Sequence, residues 1–314
     1  NTTIGTLYYY CVITQIASGC EVISSTAEVK ITQGPSFVLQ PIGTHVCLGA
    51  SISPLEVTYQ DGVGIPSYQW YENTIDDTTS GTMIPGQNNP TYTPLTNTVG
   101  TMYYYCKISL PQGGCAPIVS ITSEIIVDPD PIISVHPTPL QTICVGGTVN
   151  QLDVTYQDGV GTPIYQWYEN TTSSNIGGTP AIGLGNNTSI YTPNTTSFNA
   201  GTYYYYCVVT LSGPGCDPAP SNVAEIEIVD DPTVTAPLPS TQEKCQNGPV
   251  LDISVTPAGG VGPIYSYQWY ENTTPSNIGG TPATGPGNTT ATYSPDNTTI
   301  GTLYYYCVIT QIAS

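Results

Sequence analysis

The sequence predicts an all-β protein made of tandem β-sandwich domains. Short runs rich in Val, Ile, Thr and Tyr alternate with clusters of Gly, Pro, Asn and Asp, and no long stretch has helical spacing. The motif YQWYEN occurs three times and the motif YYYC four times. Both recur about every 100 residues, which is the size of a sandwich domain and too long for one solenoid unit.

The chain also carries one long exact repeat. Residues 1–18 and 297–314 share the sequence NTTIGTLYYYCVITQIAS. Three domains therefore make a larger repeat that returns to its starting point. We expect residues 1–33 to complete a domain whose start is equivalent to 232–296, further copies of the repeat to exist, and residues 1–18 to adopt the same fold as 297–314.

Domain boundaries are expected where an alternating strand is followed by proline, at Pro35, Pro131 and Pro232. The predicted parts are an N-terminal segment that is the C-terminal part of a repeat (1–33), a first complete repeat (34–130), a second complete repeat (131–231) and a C-terminal repeat that is the N-terminal part of a domain (232–314). Because the connections have two or three residues stiffened by proline, we expect an extended, semi-rigid rod.

Each repeat contains, in order, a Leu-x-Val pair or its equivalent, a tryptophan and a Gly-Thr-x-Tyr-Tyr-Tyr-Cys run. This order resembles the immunoglobulin fold. The resemblance implies that strands C, F and G share a sheet, that a core tryptophan lies on strand C, and that a tyrosine corner precedes the strand F cysteine. The corresponding core residues are Trp70, Trp167, Trp269, Tyr104, Tyr205 and Tyr305.

A narrower resemblance rests on three motifs. The turn Cys144-Val145-Gly146-Gly147, the YQWY strand and the GTYYYY strand look like the immunoglobulin-like repeats of large gliding or adhesin-type cell-surface proteins of Bacteroidota. Residues 245–248, with sequence CQNG, match the turn only loosely. This resemblance implies export, display at the cell surface, and a role as stalk, adhesin or fibre.

Ten cysteines in an acidic chain favour an oxidising, extracellular compartment. Val57 and Val154 replace the strand B cysteine of antibody domains, so the usual disulfide between the sheets is not expected. The cysteines at the turn into strand B and at the start of strand G are the disulfide candidates: Cys47, Cys144 and Cys245 at the turn, and Cys20, Cys115 and Cys216 at strand G.

Two pairing schemes remain open at this point. A hairpin scheme pairs Cys106 with Cys115, Cys207 with Cys216 and Cys11 with Cys20. A junction scheme pairs Cys47 with Cys216 across a domain boundary, and Cys144 with the copy of Cys20 that would follow Ser314. The junction scheme leaves Cys106, Cys207 and Cys307 as buried thiols opposite Val57, Val154 and Val255.

Composition argues against several function classes. Three lysines, no arginine and a net charge of −19 leave no basic surface for nucleic acid, and no run is long and apolar enough for membrane insertion. Only two histidines occur, His45 and His136, in different contexts, so no enzyme is expected. No Cys/His cluster suggests zinc. The linker acids Asp128, Asp130, Asp230 and Asp231 could hold calcium, but the equivalent linker 31–35 has none, so no cofactor is expected.

The sequence therefore predicts a structural repeat array that forms a bacterial extracellular fibre or adhesin stalk, with further copies of the same repeat as its partners. The first alternative is an array of modules that bind cell-surface glycans or another surface, through the loops at one end of each sandwich or through the outward tyrosine face. The second is the non-catalytic tail of a secreted enzyme.

Overall fold

The computed structural model describes residues 3–262 and 264–311. These residues form β-strands joined by loops and one short 3-10 turn, Pro111–Gly113, and this part of the chain contains no α-helix. None of its elements is a helix that could span a membrane. The fold is a tandem array of immunoglobulin-like β-sandwiches. Two compact units are present: one reaches as far as Ile132 and includes 157–163 and 210–219, and the other contains 133–156, 164–209 and the chain from Pro220 onward.

The N-terminal segment contains two small antiparallel pairs. Its strands are β1 (Gly5–Tyr9), β2 (Val12–Thr14), β3 (Glu21–Ile23) and β4 (Ala27–Ile31). Strand β1 pairs with β4, and β2 pairs with β3. The side chains from Thr3 to Lys30 are exposed, so the described part of this segment has no core of its own.

The first complete repeat is a two-layered sandwich. Its strands are β5 (Ser36–Leu39), β6 (Thr44–Cys47), β7 (Leu55–Glu56), β8 (Thr58–Gln60), β9 (Ser67–Asn73), β10 (Thr82–Met83), β11 (Thr91–Tyr92), β12 (Gly100–Leu110), β13 (Cys115–Val119) and β14 (Ser123–Asp128). One sheet has the order β10-β9-β12-β14-β6, with β13 also paired to β12, and only the β6–β14 pairing in it is parallel. The pairs β7–β11 and β5–β8 form the facing layer. The expectation that strands C, F and G (β9, β12 and β13–β14) share a sheet is confirmed.

The second complete repeat has the same order. Its strands are β15 (Ile132–Val135), β16 (Leu140–Cys144), β17 (Leu152–Asp153), β18 (Thr155–Gln157), β19 (Pro163–Asn170), β20 (Thr179–Pro180), β21 (Ile190–Tyr191), β22 (Gly201–Leu211), β23 (Ala219–Pro220) and β24 (Ala224–Val229). The larger sheet runs β16-β24-β22-β19-β20, with β23 on β22, and β16 is parallel to β24. The pairs β17–β21 and β15–β18 form the other layer.

The C-terminal repeat has a smaller sheet. Its strands are β25 (Thr233–Val234), β26 (Ile253–Ser254), β27 (Pro257–Ala258), β28 (Tyr265–Asn272), β29 (Thr281–Pro282), β30 (Thr292–Tyr293) and β31 (Tyr304–Gln311). The order β29-β28-β31 leaves β31 with one neighbour among the described strands, whereas its equivalents β12 and β22 also pair with a strand G. The pairs β25–β27 and β26–β30 complete the repeat.

The core markers lie inside the sandwiches. Trp70, Trp167 and Trp269 are fully buried, and Tyr104 and Tyr205 are also buried. Tyr305 is only half-buried, because β31 lacks the second strand neighbour that covers the equivalent tyrosines. The side chains of Val57 and Cys106 belong to the same core cluster as Trp70.

Candidate functional site: the cysteine junction

The site begins at a tight turn after β6. Parallel pairing with β14 holds Cys47 opposite Asp128. The chain then turns, and the Ala50 N–H donates a hydrogen bond to the Cys47 carbonyl oxygen over 3.2 Å. The Thr96 hydroxyl donates to the Ala50 carbonyl oxygen over 2.6 Å. The carbonyl groups of the buried residues Cys47 and Ala50 are therefore both satisfied, which stabilises the turn that carries Cys47.

The second part of the site is the loop that follows β22. The Ser212 and Gly213 N–H groups donate to the carbonyl oxygens of Thr162 and Val160, each over 3.0 Å. Gly215 then adopts a φ of +76°, a left-handed conformation that favours glycine. The hydrogen bonds and the glycine together present Cys216 at the tip of the hairpin loop.

Cys47 and Cys216 form a disulfide bond with a Cα separation of 4.9 Å, although 169 residues separate them in sequence. The bond joins the first complete repeat to the hairpin loop of the second, and both cysteines lie within one compact unit. The Cys47 N–H donates to the Pro214 carbonyl oxygen over 3.1 Å, and the Asp217 N–H donates to Asp130 Oδ1 over 3.0 Å. We call Cys47, Ala50, Asp130 and residues 214–217 the cysteine junction.

Close packing adds to these bonds. A Cβ atom on Gly215 would lie 2.2 Å from the Cβ of Ala50, which is far inside van der Waals contact. Gly215 is thus needed for its left-handed φ and also because the turn and the hairpin touch at this point. The disulfide, the two hydrogen bonds donated by the Cys47 and Asp217 N–H groups, and the close packing of Gly215 on Ala50 therefore hold this junction together.

The junction decides between the two pairing schemes for Cys216. The hairpin scheme is wrong for Cys207 and Cys216, because Cys216 is bonded to Cys47 and Cys207 is a buried free thiol. Cys106 and Cys115 are also free thiols. Burial raises the pKa of the Cys106 and Cys207 thiols to about 12, as expected of apolar core thiols rather than of nucleophiles.

The other disulfide candidates are free thiols in the described structure. Cys20 and Cys245 are exposed, and Cys115 and Cys144 are half-buried. The Cys144 sulfur lies 3.9 Å from Gln311 Oε1. The proposed partner of Cys144, the residue that would follow Ser314, lies outside the sequence, so that pairing stays a prediction.

The outward tyrosines of strand F pair across the strands, and their own chain covers them. Tyr105 and Tyr206 project from the sheet face opposite the core, yet they are only 4% and 3% exposed. Each stacks on a cross-strand tyrosine, with ring centroids 5.0 Å apart for Tyr71–Tyr105 and 5.2 Å apart for Tyr168–Tyr206. The loop after each YQWYEN strand covers them, and the Gly178 N–H donates to the Tyr206 hydroxyl over 3.1 Å. These two rings are therefore covered by their own chain and present no open face to a sugar.

Four of the residues considered for catalysis or calcium binding have local structural partners: His45, Asp128, Asp130 and His136. His45 Nε2 lies 2.8 Å from Asp128 Oδ2, and His136 Nδ1 accepts a hydrogen bond from the Asn222 N–H. Asp130 accepts the hydrogen bond from Asp217 described above. Across the described ranges 3–262 and 264–311, no three His, Cys, Asp or Glu side chains are grouped closely enough to hold a metal ion.

A family model matches residues 42–129 and 136–230, which is more than half of the chain. The chain belongs to the family described as Domain of unknown function (DUF8696). Both matched DUF8696 segments contain a cysteine turn, a core tryptophan and a YYYC strand. No curated protein matches the sequence.

Solved structures of tandem immunoglobulin domains resemble this DUF8696 chain. A titin I-band fragment, I67–I69, is 15% identical, covers 90% of this chain and 95% of its own length, and has a TM-score of 0.45. Immunoglobulin domains 1–5 of Sidekick-1 are 15% identical over 83% of this chain, with a TM-score of 0.40. Domains 3–5 of Drosophila OTK are 16% identical over 90% of this chain and 95% of theirs, with a TM-score of 0.27. The DUF8696 chain spans about half the length of the Sidekick-1 fragment (54%).

Sequence reasoning named the two bonded cysteines but not the residues that bring them together. The contacts of three further residues could not be predicted from any pattern in the sequence: Ala50, Asp130 and Pro214. One signal was visible, because glycine directly precedes the hairpin cysteine three times, at Gly19, Gly114 and Gly215. All three adopt left-handed φ angles, of +68°, +66° and +76°.

Proposed function

We propose that this chain is a structural repeat array of an extracellular bacterial fibre or adhesin stalk, in which disulfide bonds tie each repeat to the next. The observation that carries the proposal is the Cys47–Cys216 bond. It joins successive repeats, not the two sheets of one sandwich. Tension along the chain would therefore act on a covalent bond as well as on the linker, which suits a load-bearing array.

The disulfide also supports the proposed location. Disulfides persist in oxidising compartments and are rare in the cytosol. The low lysine content and the net charge of −19 suit a chain that does not bind nucleic acid or anionic lipid surfaces. An extracellular location is therefore part of the proposal.

The open edges of the N-terminal segment and the C-terminal repeat support further copies as partners. In the first complete repeat, β14 lies between β12 and β6. In the C-terminal repeat the equivalent place is a groove of about 400 Å³, lined by residues within 237–246 and 295–305. Strand β4 is the equivalent of β14 in the N-terminal segment, and its partner β1 has the sequence of residues 301–305.

Strand register strengthens this point. Gly5 faces Ile31, Gly100 faces Val127 and Gly201 faces Ile228, so the same glycine of strand F marks the same position on strand G each time. The segment Ala27–Ile31 from another copy of the repeat is thus matched in sequence and register to residues 301–305, which include the start of β31. A second copy of the chain would supply that strand.

Electron microscopy of the native secreted material tests the function. We expect filaments or stalks whose averaged density repeats at the length of three domains, and whose peptides contain the Cys47–Cys216 linkage. Particles that are discrete and globular would contradict the structural role. Specific retention of the chain on a glycan array, together with such globular particles, would favour the glycan-binding alternative instead.

A further inference from the structure

The turn of the cysteine junction occurs three times with the same geometry. The residue three positions after each turn cysteine donates its N–H to the cysteine carbonyl oxygen, over 3.2 Å at Cys47, 2.9 Å at Cys144 and 2.8 Å at Cys245. The carbonyl of that third residue accepts a side-chain hydrogen bond each time, from Thr96, Thr195 and Asn297. The Cys245 turn is therefore built like the Cys47 turn, despite its different sequence.

The hairpin half of the junction also recurs, but its surroundings differ. At Gly215 an added Cβ would meet Ala50 of the docked turn. At Gly114 and Gly19, which have the same left-handed φ, an added Cβ would meet nothing within 4 Å. Cys115 follows Gly114 as Cys216 follows Gly215, and it is a free thiol. The hairpin around Cys115 thus has the left-handed glycine of the docked hairpin without a docked turn.

The repeat order identifies the turn that fits. The observed bond joins the turn of one repeat to the hairpin of the next repeat along the chain. Residues 1–33, which precede the 34–130 repeat, correspond to the end of a repeat of the 232–314 type, because residues 1–18 are identical to 297–314. Its turn cysteine is therefore of the Cys245 type. The Cys144 sulfur lies 3.9 Å from Gln311 Oε1 at the end of β31, which is the equivalent of β22, the strand that precedes the Cys216 hairpin.

We propose that the Cys115 hairpin of one copy docks on the Cys245 turn of a second copy and forms a disulfide bond with it. This inference rests on the proposed function, for which it names the partner, the two surfaces and the bond. With oxidised glutathione as oxidant, Cys115 first forms a mixed disulfide and releases one glutathione thiol. The Cys245 thiolate then attacks the Cys115 sulfur and expels the second glutathione as thiolate, which takes up the proton that Cys245 lost. Two protein thiols and one oxidised glutathione thus give one disulfide and two reduced glutathiones.

The test uses the full chain in a glutathione redox buffer, followed by non-reducing electrophoresis and mass spectrometry of linked peptides. All samples carry Cys20→Ser, because the same rule would pair Cys20 with Cys144. We expect a ladder of covalent oligomers that contain a Cys115–Cys245 linkage. Adding Cys115→Ser or Cys245→Ser should abolish the ladder, whereas Cys11→Ser, which removes another exposed thiol, should leave it intact.

Mixing the two single variants provides the sharpest result. A Cys115→Ser chain still has Cys245, and a Cys245→Ser chain still has Cys115, so an equimolar mixture should give covalent dimers and no trimers. In the parent chain, Gly114→Ala should slow ladder formation, and Gly86→Ala should not, although Gly86 has a similar φ of +78° and equally open surroundings.

A ladder that survives Cys115→Ser, a mixture without dimers, or a parent chain that stays monomeric would overturn the inference. None of these results would by itself overturn the structural role. The structural role is contradicted by a different result: native particles that are not fibrous, or that lack the Cys47–Cys216 linkage.

Discussion

The indole nitrogen of the fully buried Trp167 donates a hydrogen bond to the carbonyl oxygen of Thr188 over 2.9 Å. Trp70 and Trp269 make the same bond, to Asn89 and Thr290, over 2.9 and 2.8 Å. Each tryptophan thus fills the core and also anchors the loop that crosses the end of its sandwich. The indole has no unsatisfied donor, which is the condition for burying tryptophan at little cost.

Replacing Trp167 by alanine should lower the free energy of unfolding by about 3–5 kcal/mol, because a large buried side chain leaves a cavity. Trp167→Phe should cost less, since the ring remains and the lost hydrogen bond leaves only the Thr188 carbonyl unpaired. Urea denaturation monitored by circular dichroism measures both. Ile176→Ala, at a side chain that is 78% exposed, is the control, and a loss below about 1 kcal/mol for Trp167→Ala would contradict the core assignment.

Removing the junction disulfide with Cys47→Ser/Cys216→Ser should lower the free energy of unfolding by about 4–5 kcal/mol in the chain-entropy model, because the bond closes a very long loop. The variant and the reduced wild-type chain should unfold at the same denaturant concentration. Cys20→Ser, at an exposed free thiol, should behave as wild type. Equal stabilities of the oxidised wild type and the double variant would show that the bond does not constrain the unfolded chain.

Gly215→Ala should destabilise the oxidised chain more than Gly114→Ala does. Both substitutions force a side chain into a left-handed φ, at a cost on the order of 1 kcal/mol. Only Gly215 also faces Ala50, with the new methyl 2.2 Å from its Cβ. The yield of the Cys47–Cys216 bond after oxidative refolding, measured with denaturation curves, separates the two variants. If the two yields match, the turn and the hairpin do not touch as described.

The stability of the complete repeats should fall as the pH rises above about 9. Burial raises the pKa of Cys106 and Cys207 from the ordinary 9.0 to about 12, so between these values the unfolded thiols ionise while the folded ones do not. Proton release then favours the unfolded chain. Burial raises the pKa of Tyr104 and Tyr205 in the same direction. Denaturation in excess dithiothreitol, which prevents disulfide exchange, measures the slope.

Cys207→Ala provides the comparison for that slope. It should lower stability at pH 7 by creating a small cavity, but its stability should decline less steeply above pH 9, because one titrating group is gone. The exposed Cys11→Ala variant should keep the wild-type slope. An unchanged slope in Cys207→Ala would mean that the buried thiol does not contribute to the alkaline loss.

The fold was predictable because the strand pattern within each repeat and the spacing between repeats indicate the same sandwich domain. The YQWYEN and YYYC strands repeat in phase, and each places one large residue, such as Trp167 or Tyr205, on the inward face. Half-burial of Tyr305 was not predictable from its motif, which is the same as that of Tyr205. It follows from which strands flank β31, a property of the chain's organisation and not of the residue.

The covering of Tyr105 and Tyr206 escaped prediction for a different reason. Strand alternation correctly places them on the outer face, but alternation cannot tell whether a loop folds back over that face. Glycines at positions 81 and 178 allow that approach, since a Cβ at Gly81 would strike the Tyr105 ring. Cysteine spacing likewise left two pairing schemes open. The contact between Ala50 and Gly215, which favours the junction scheme, exists only in the folded chain.

The Cys47–Cys216 bond also determines what proteolysis can separate. Lys30, Lys107 and Lys244 are the three basic residues of the chain, and only Lys107 lies between the two bonded cysteines. Trypsin cleavage after Lys107 would cut the backbone within strand β12 without releasing either half, since the fragments on both sides remain joined through sulfur. The two fragments of such a nicked chain would migrate as one molecule until a reducing agent is added, so electrophoresis without reduction would not reveal the cut.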